Sequence, residues 1–166
     1  MEDTILFGSK ENFAIELGFT KTSKKYKLGF WIKGKRLGSF TKSGELKYFS
    51  RGYYEFISRK ETQYLQIFDN FSPEEIDFYL IGFFFTDERK KMSEEELDKR
   101  EKFHIFFGDQ FGNQTGNFHL LYHNSNVIFI IKRPMDGPVD SYEISFDTFC
   151  KIFEEYIAYV ANNNLV

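Results

Sequence analysis

The chain is poor in several things, and each shortage excludes something. Its 166 residues hold one cysteine, Cys150, so there is neither an internal disulfide nor a zinc cage built from several thiolates. Alanine occurs only at Ala14, Ala158 and Ala161. No apolar run reaches the roughly 20 residues a membrane span requires. The opening MEDTILFGSK carries an early acidic pair and no apolar signal-peptide core. Neither a G-x-S-x-G elbow, a phosphate-binding Walker loop nor a G-x-G-x-x-G dinucleotide turn occurs. The net charge of −3 excludes a strongly basic nucleic-acid binder, and a membrane partner is not expected either. With one free thiol and no export signal, the cytoplasm is the expected location.

What is present in excess is aromatic. There are 22 Phe, 10 Tyr and 1 Trp, within a chain that is 42% hydrophobic and 28% charged. That balance is globular, and a single domain over residues 1–166 is expected. Phe outnumbers Tyr more than two to one and lacks a polar tip, which favours a Phe-filled core over exposed stacking platforms. Charge is uneven: residues 1–60 sum to +7 and residues 61–166 to −10. Either the two halves form faces that steer a charged macromolecule, or they interleave and cancel. Sequence halves rarely map onto faces, which favours cancellation.

Periodicity predicts an α+β fold, a mostly antiparallel sheet built from hairpins and covered by two or three helices, including a C-terminal amphipathic one. Asn12–Lys21 alternates with Phe13, Ile15 and Leu17 on one side, a strand pattern. Tyr26–Leu37 reads as its hairpin partner, with Lys33-Gly34-Lys35 as a tight turn or bulge. Leu46, Phe49, Tyr53, Phe56 and Ile57 make a helical stripe, although Gly52 inside it costs about 1 kcal/mol relative to Ala. Gln63–Phe68 and Phe103–Phe107 read as short strands. Ser72-Pro73-Glu74-Glu75 is a helix start with a capping box, leading into a helix over 73–84. A buried strand over Tyr79–Phe85 is the alternative. Thr86–Lys102 is a charged connection with a turn of helix after Ser93. Asn117–His123 and Val127–Arg133 form a second hairpin, and the continuous apolar run Val127–Ile131 predicts a central strand. Met135–Asp140 is a loop, and Tyr142–Ser145 adds a short strand. Phe146, Phe149, Phe153, Tyr156, Ile157 and Val160 stripe a last helix over 147–161.

Little in the sequence suggests catalysis. His119 and His123 share a face of a strand about 13 Å apart, too far to share a metal. Cys150 between Phe149 and Phe153 is a buried thiol rather than a nucleophile. No catalytic residue, metal site or cofactor is expected. The carboxylates of 86–102 lie in a hydrated charge run, unsuited to a catalytic pair but suited to a basic partner.

One resemblance goes further. Phe7-Gly8, then Phe13-Ala14-Ile15-Glu16, then Trp31, Gly34 and Gly38 in Leu28–Gly38 resemble the opening of the bacterial immunity protein 42 family of polymorphic toxin systems. The likeness is sharpest over about 35 residues. Phe103–Phe111, the following hairpin and the terminal helix then fit in order and length. The resemblance implies a non-enzymatic inhibitor that binds the C-terminal domain of a cognate toxin. The shared Phe, Gly and Trp positions would serve the fold, with Gly34 and Gly38 permitting positive φ or a close approach. The expected toxin-binding residues are Asp87, Glu88, Glu94, Glu95 and Glu96. Exposed Phe or open strand edges would also allow a homodimer. Two other readings stay open: a small-ligand or carbohydrate module using exposed Tyr and Trp31, and a small enzyme built around His104, His119 or His123.

Overall fold

The computed structural model describes residues 4–20, 26–39, 44–108, 111, 117–132 and 137–165. Strands β1 (Thr4–Gly8), β2 (Phe13–Phe19), β3 (Tyr26–Ile32) and β4 (Lys35–Leu37) form one antiparallel meander in that order. Lys33 and Gly34 both take positive φ, +48° and +77°, the two-residue turn that matches strand twist. So Lys33-Gly34 is a tight turn and not a bulge. Its amides are used twice over: Lys33 N–H donates to Asn12 O and Gly34 N–H to Lys10 O, tying the β3–β4 turn to the β1–β2 loop. The expected turn at 22–25 lies outside the described residues.

The second sheet has the order β5 (Asn117–His123), β6 (Asn126–Lys132), β7 (Val139–Ser145). Asn124 and Ser125, again with positive φ, make the β5–β6 turn. The apolar run Val127–Ile131 is explained by its position: β6 is the central strand and both its faces are covered. Val127, Phe129 and Ile131 enter the larger core, while Ile130 and Leu121 enter a second cluster with Ile76, Leu80, Phe68 and Phe103.

Among the described residues four helices complete the fold: α1 (Leu46–Arg59), α2 (Pro73–Leu80), α3 (Glu94–Glu101) and α4 (Phe146–Asn162). The larger core lies between the inner faces of the two sheets, where Phe13 and Phe30 meet Phe129, and α4 touches strands of both sheets. α2 packs on the opposite face of the second sheet. The stack therefore runs from the outer face of β1–β4, through two sheets, to α2 and α3. Gly52 of α1 sits where the Phe106–Phe107 segment crosses; a Cβ there would lie 2.8 Å from Phe106 O. That close approach accounts for a glycine in mid-helix.

Several local expectations are corrected. Gln63–Phe68 is no strand: a 3-10 turn covers Gln66–Asn70, and only Gln63 O reaches the free edge of β5, accepting from Tyr122 N–H. Phe103–Phe107 has no strand to pair with either. Its first amides close the end of α3, and it then crosses between cores, with Phe103 in the second cluster and Phe107 in the larger one. After Ser93 there are eight helical residues rather than one turn. The expected helix over 73–84 ends at Leu80 and continues as a 3-10 turn over Gly82–Phe85, which excludes the strand alternative. β7 starts earlier than expected, at Val139. α4 is capped by Ser145, whose side chain accepts from Thr148 N–H.

The capping box forms as read: Glu75 N–H donates to Ser72 Oγ at 3.3 Å and Ser72 N–H to Glu75 Oε2 at 2.7 Å. Replacing Ser72 with Ala should cost about 1 kcal/mol and lower the melting temperature by about 2–4 °C. Thermal unfolding followed by circular dichroism checks this; an unchanged midpoint would show that the box contributes nothing.

Candidate functional site

The residues of the N-terminal motif divide by strand face. Phe7, Phe13 and Ile15 are buried in the larger core, Phe7 edge-on to Tyr156. Ala14 and Glu16 point the other way. There Glu16 accepts from Trp31 Nε1 at 2.8 Å and pairs with Arg36 at 3.1 Å and Lys10 at 3.9 Å. Lys10 lies 4.3 Å and Arg36 5.8 Å from the centre of the Trp31 ring. Trp31 is thus engaged by its neighbours rather than presented as a stacking platform. Gly8 and Gly38 have positive φ, and a Cβ on Gly38 would meet Phe111 at 2.8 Å.

The acidic segment belongs to the opposite end of the stack. Asp87 pairs with Lys90 at 2.8 Å, Glu95 with Lys99 at 2.8 Å, and Glu96 with Arg100 at 3.0 Å. The Lys99 hydrogen bond holds the Glu95 carboxyl below its ordinary range. Glu88 and Glu94 enter none of these pairs. The charge run is therefore not uniform: Asp87, Glu95 and Glu96 are partly neutralised within the chain.

Arg100 organises this layer. Its Nη1 donates to Tyr79 O at 2.8 Å, its Nε and Nη2 donate to Glu96 Oε1, and its guanidinium lies 3.9 Å from the Tyr79 ring centre. This clasp holds α3 on α2, and only 11% of the Arg100 side chain is exposed. Burial first, then the Glu96 carboxylate, pushes the Tyr79 phenol up, so it is a neutral donor at physiological pH. Beside the clasp opens a groove of about 380 Å³ with Phe71, Phe78 and Tyr79 as apolar walls. Its acidic rim is Glu74, Glu75 and Glu88, and Arg100 forms its inner end. Phe78 is 43% exposed there. Of the five expected toxin-binding residues, only Glu88 lines this groove. The sequence marks Glu75 as a capping residue and gives Glu74, Phe71 and Phe78 no role in a site. The signal available was Ser-Pro-Glu-Glu, which sets two carboxylates in the first turn between two Phe.

The histidines stand apart in their surroundings. His119 is buried on β5, with Nε2 3.5 Å from Asp77 Oδ1 of α2, while Lys132 reaches Asp77 Oδ2 at 3.6 Å. His123 stacks on Tyr64 and lies 4.0 Å from Asp69. His104 lines a smaller groove of about 320 Å³ with Leu80, Ile81, Phe84, Arg100 and Glu101. Among the described residues no group of His, Cys, Asp or Glu is arranged to hold a metal ion. Burial raises the Cys150 thiol against the lowering hydrogen bond with Tyr53, so the sulfur stays protonated at neutral pH. Among the described residues no helix is long and apolar enough to cross a membrane.

The two charge halves of the sequence separate only in part. β1–β4 come from the basic half and α2 and α3 from the acidic half, at opposite ends of the stack. Between them the halves interleave: α4 of the acidic half packs on β1 and β2, and Lys35 pairs with Asp140 at 3.4 Å.

Three comparisons bear on this arrangement. A family model described as Immunity protein 42 matches residues 5–159. The crystal structure of CdiI from Burkholderia dolosa AUO158 is similar, with a TM-score of 0.66 and 14% identity. The match covers 93% of this chain and 99% of that chain, which shows a shared fold. No curated protein matches the sequence.

Proposed function

The chain belongs to the immunity protein 42 family, and from that premise we propose how it carries out its function, the neutralisation of a cognate toxin. It binds the C-terminal toxic domain and occludes its active or binding site, without catalysis of its own, in the cytoplasm and as one domain over residues 1–166. The docking surface is the acidic face of the α2–α3 layer, with Asp87, Glu88, Glu94, Glu95 and Glu96 as its charged part. The observation that carries this placement is charge separation: the acidic residues stand at the end of the stack away from Lys10 and Arg36. Such a face accelerates encounter with a basic cleft and rejects acidic partners. The residues of the N-terminal motif build the fold and lie outside the interface. A second copy, where it pairs, uses the open edge of β1 or β4.

Co-expression with the toxin domain encoded beside the gene tests the reading. A stable complex and rescued growth are expected; no complex and no rescue would overturn it. Lys replacements at Asp87, Glu88, Glu94, Glu95 and Glu96 should slow association and weaken its dependence on salt. Unchanged affinity and protection would move the interface elsewhere.

A further inference from the structure

We infer that the groove between α2 and the Asp87–Lys91 turn receives one arginine side chain of the cognate toxin domain, an inference that rests on the immunity reading above. The groove has two kinds of wall. Phe71, Phe78 and Tyr79 are apolar and suit the three-carbon stem of an arginine and the flat face of its guanidinium. Glu74 and Glu88 are acidic and enter no ion pair among the described residues. They offer acceptors to a forked cation. Glu75 is already engaged, since its Oε2 accepts from Ser72 N–H.

The positive charge at the inner end does not cancel this preference. Both Arg100 hydrogen bonds to Glu96 and its bond to Tyr79 O are made within the chain, so it neutralises Glu96 and not Glu74 or Glu88. Arg100 also shows the pairing at work: its guanidinium lies 3.9 Å from the ring centre of Tyr79 on α2 and 4.6 Å from that of Phe83 in the turn after it, while a carboxylate takes its N–H groups. An arginine from outside would repeat that arrangement on Phe78 and Glu74. Lysine fits the charge but lacks the planar head, and an acidic or purely apolar side chain would leave the two carboxylates desolvated and unpaired.

The proposal separates from the general docking reading through Glu74 and Phe78, which belong to the groove and not to the 86–101 segment. Both are exposed, so Glu74→Gln and Phe78→Ala should leave the melting temperature within about 2 °C of the original. Binding is measured against the toxin domain encoded beside the gene, by surface plasmon resonance at low and high salt. The double variant E74Q/F78A should raise Kd at least tenfold, mainly through faster dissociation. E94Q/E95Q should slow association and leave dissociation unchanged. Normal binding by E74Q/F78A alongside slowed association by E94Q/E95Q would overturn the groove and keep the acidic docking face. Normal binding by both variants would overturn both placements. An arginine scan of the toxin domain supplies the partner: one Arg→Ala change should cost no further affinity when combined with E74Q/F78A, and strict additivity would overturn the groove.

Discussion

Replacing Phe30 with alanine should remove about 4 kcal/mol of stability and lower the melting temperature by roughly 8–16 °C. Phe30 is fully buried on β3 and its ring meets rings from β2, α1, β5, β6 and α4: Phe13, Phe49, Phe118, Phe129 and Phe153, all within 6.1 Å between centres. Phe107 and Phe111 close the remaining sides. A truncation there opens a void that stiff aromatic neighbours from five elements cannot collapse to fill. The size of the loss distinguishes this position from an ordinary Phe in the same chain. Phe85 is 77% exposed, and Phe85→Ala should change stability by no more than about 0.5 kcal/mol. Denaturant unfolding of the two variants side by side is the check. Equal midpoints would show that the ring cluster does not hold the two sheets together.

The second large effect is expected at Asp77→Ala, at about 3 kcal/mol. Asp77 lies on the buried side of α2 with 2% of its surface exposed, between Lys132 and the equally enclosed His119. Among the described residues neither Asp77 Oδ1 nor His119 Nε2 has a hydrogen bond, although the two atoms lie 3.5 Å apart. Without Asp77, the Lys132 ammonium and the His119 ring lose their only carboxylate neighbour among the described residues. Asp77→Asn keeps the shape and one acceptor, and should cost about half as much. The loss should be local as well as global. Hydrogen exchange should quicken in α2 before β2, because the two partners of Asp77, His119 and Lys132, both lie in the second sheet. Uniform acceleration across both sheets would contradict that division.

The elements legible in the sequence are those whose causes are contiguous. Ser72-Pro73-Glu74-Glu75 contains a whole capping box. Asn124-Ser125 and Lys33-Gly34 sit between alternating runs, and the Phe146–Val160 stripe shows one helix face. The misread segments owe their form to distant residues. Gln63–Phe68 and Phe103–Phe107 carry strand-like aromatics, yet a strand needs a run of bonds to an edge alongside, and from Gln63–Phe68 only Gln63 O bonds to the edge of β5. α3 has one apolar residue, Leu97, and no stripe of its own; it is held on α2 by Arg100 over Tyr79, a contact across 21 residues. The candidate site divides in the same way. A composition of acids at 86–101 is visible in the sequence, but which of them are spent on Lys90, Lys99 and Arg100 is a matter of side-chain geometry. The groove itself is a relation between α2 and a turn some ten residues later, so Glu74 and Phe78 carried no mark of it.

Trp31 is the only indole in the chain, which turns the outer face of the first sheet into a light source with a known address. Its N–H is held by Glu16 and its ring is flanked by Lys10 and Arg36. Emission should therefore shift to the red on unfolding, when water replaces these neighbours, and report β2–β3 pairing without any label. The docking groove lies at the far end of the stack. Titration with a tryptophan-free toxin domain should thus leave the emission spectrum of a bound complex where it was. A partner that seats on the first sheet would disturb Lys10 or Arg36 and announce itself as a change in colour or intensity.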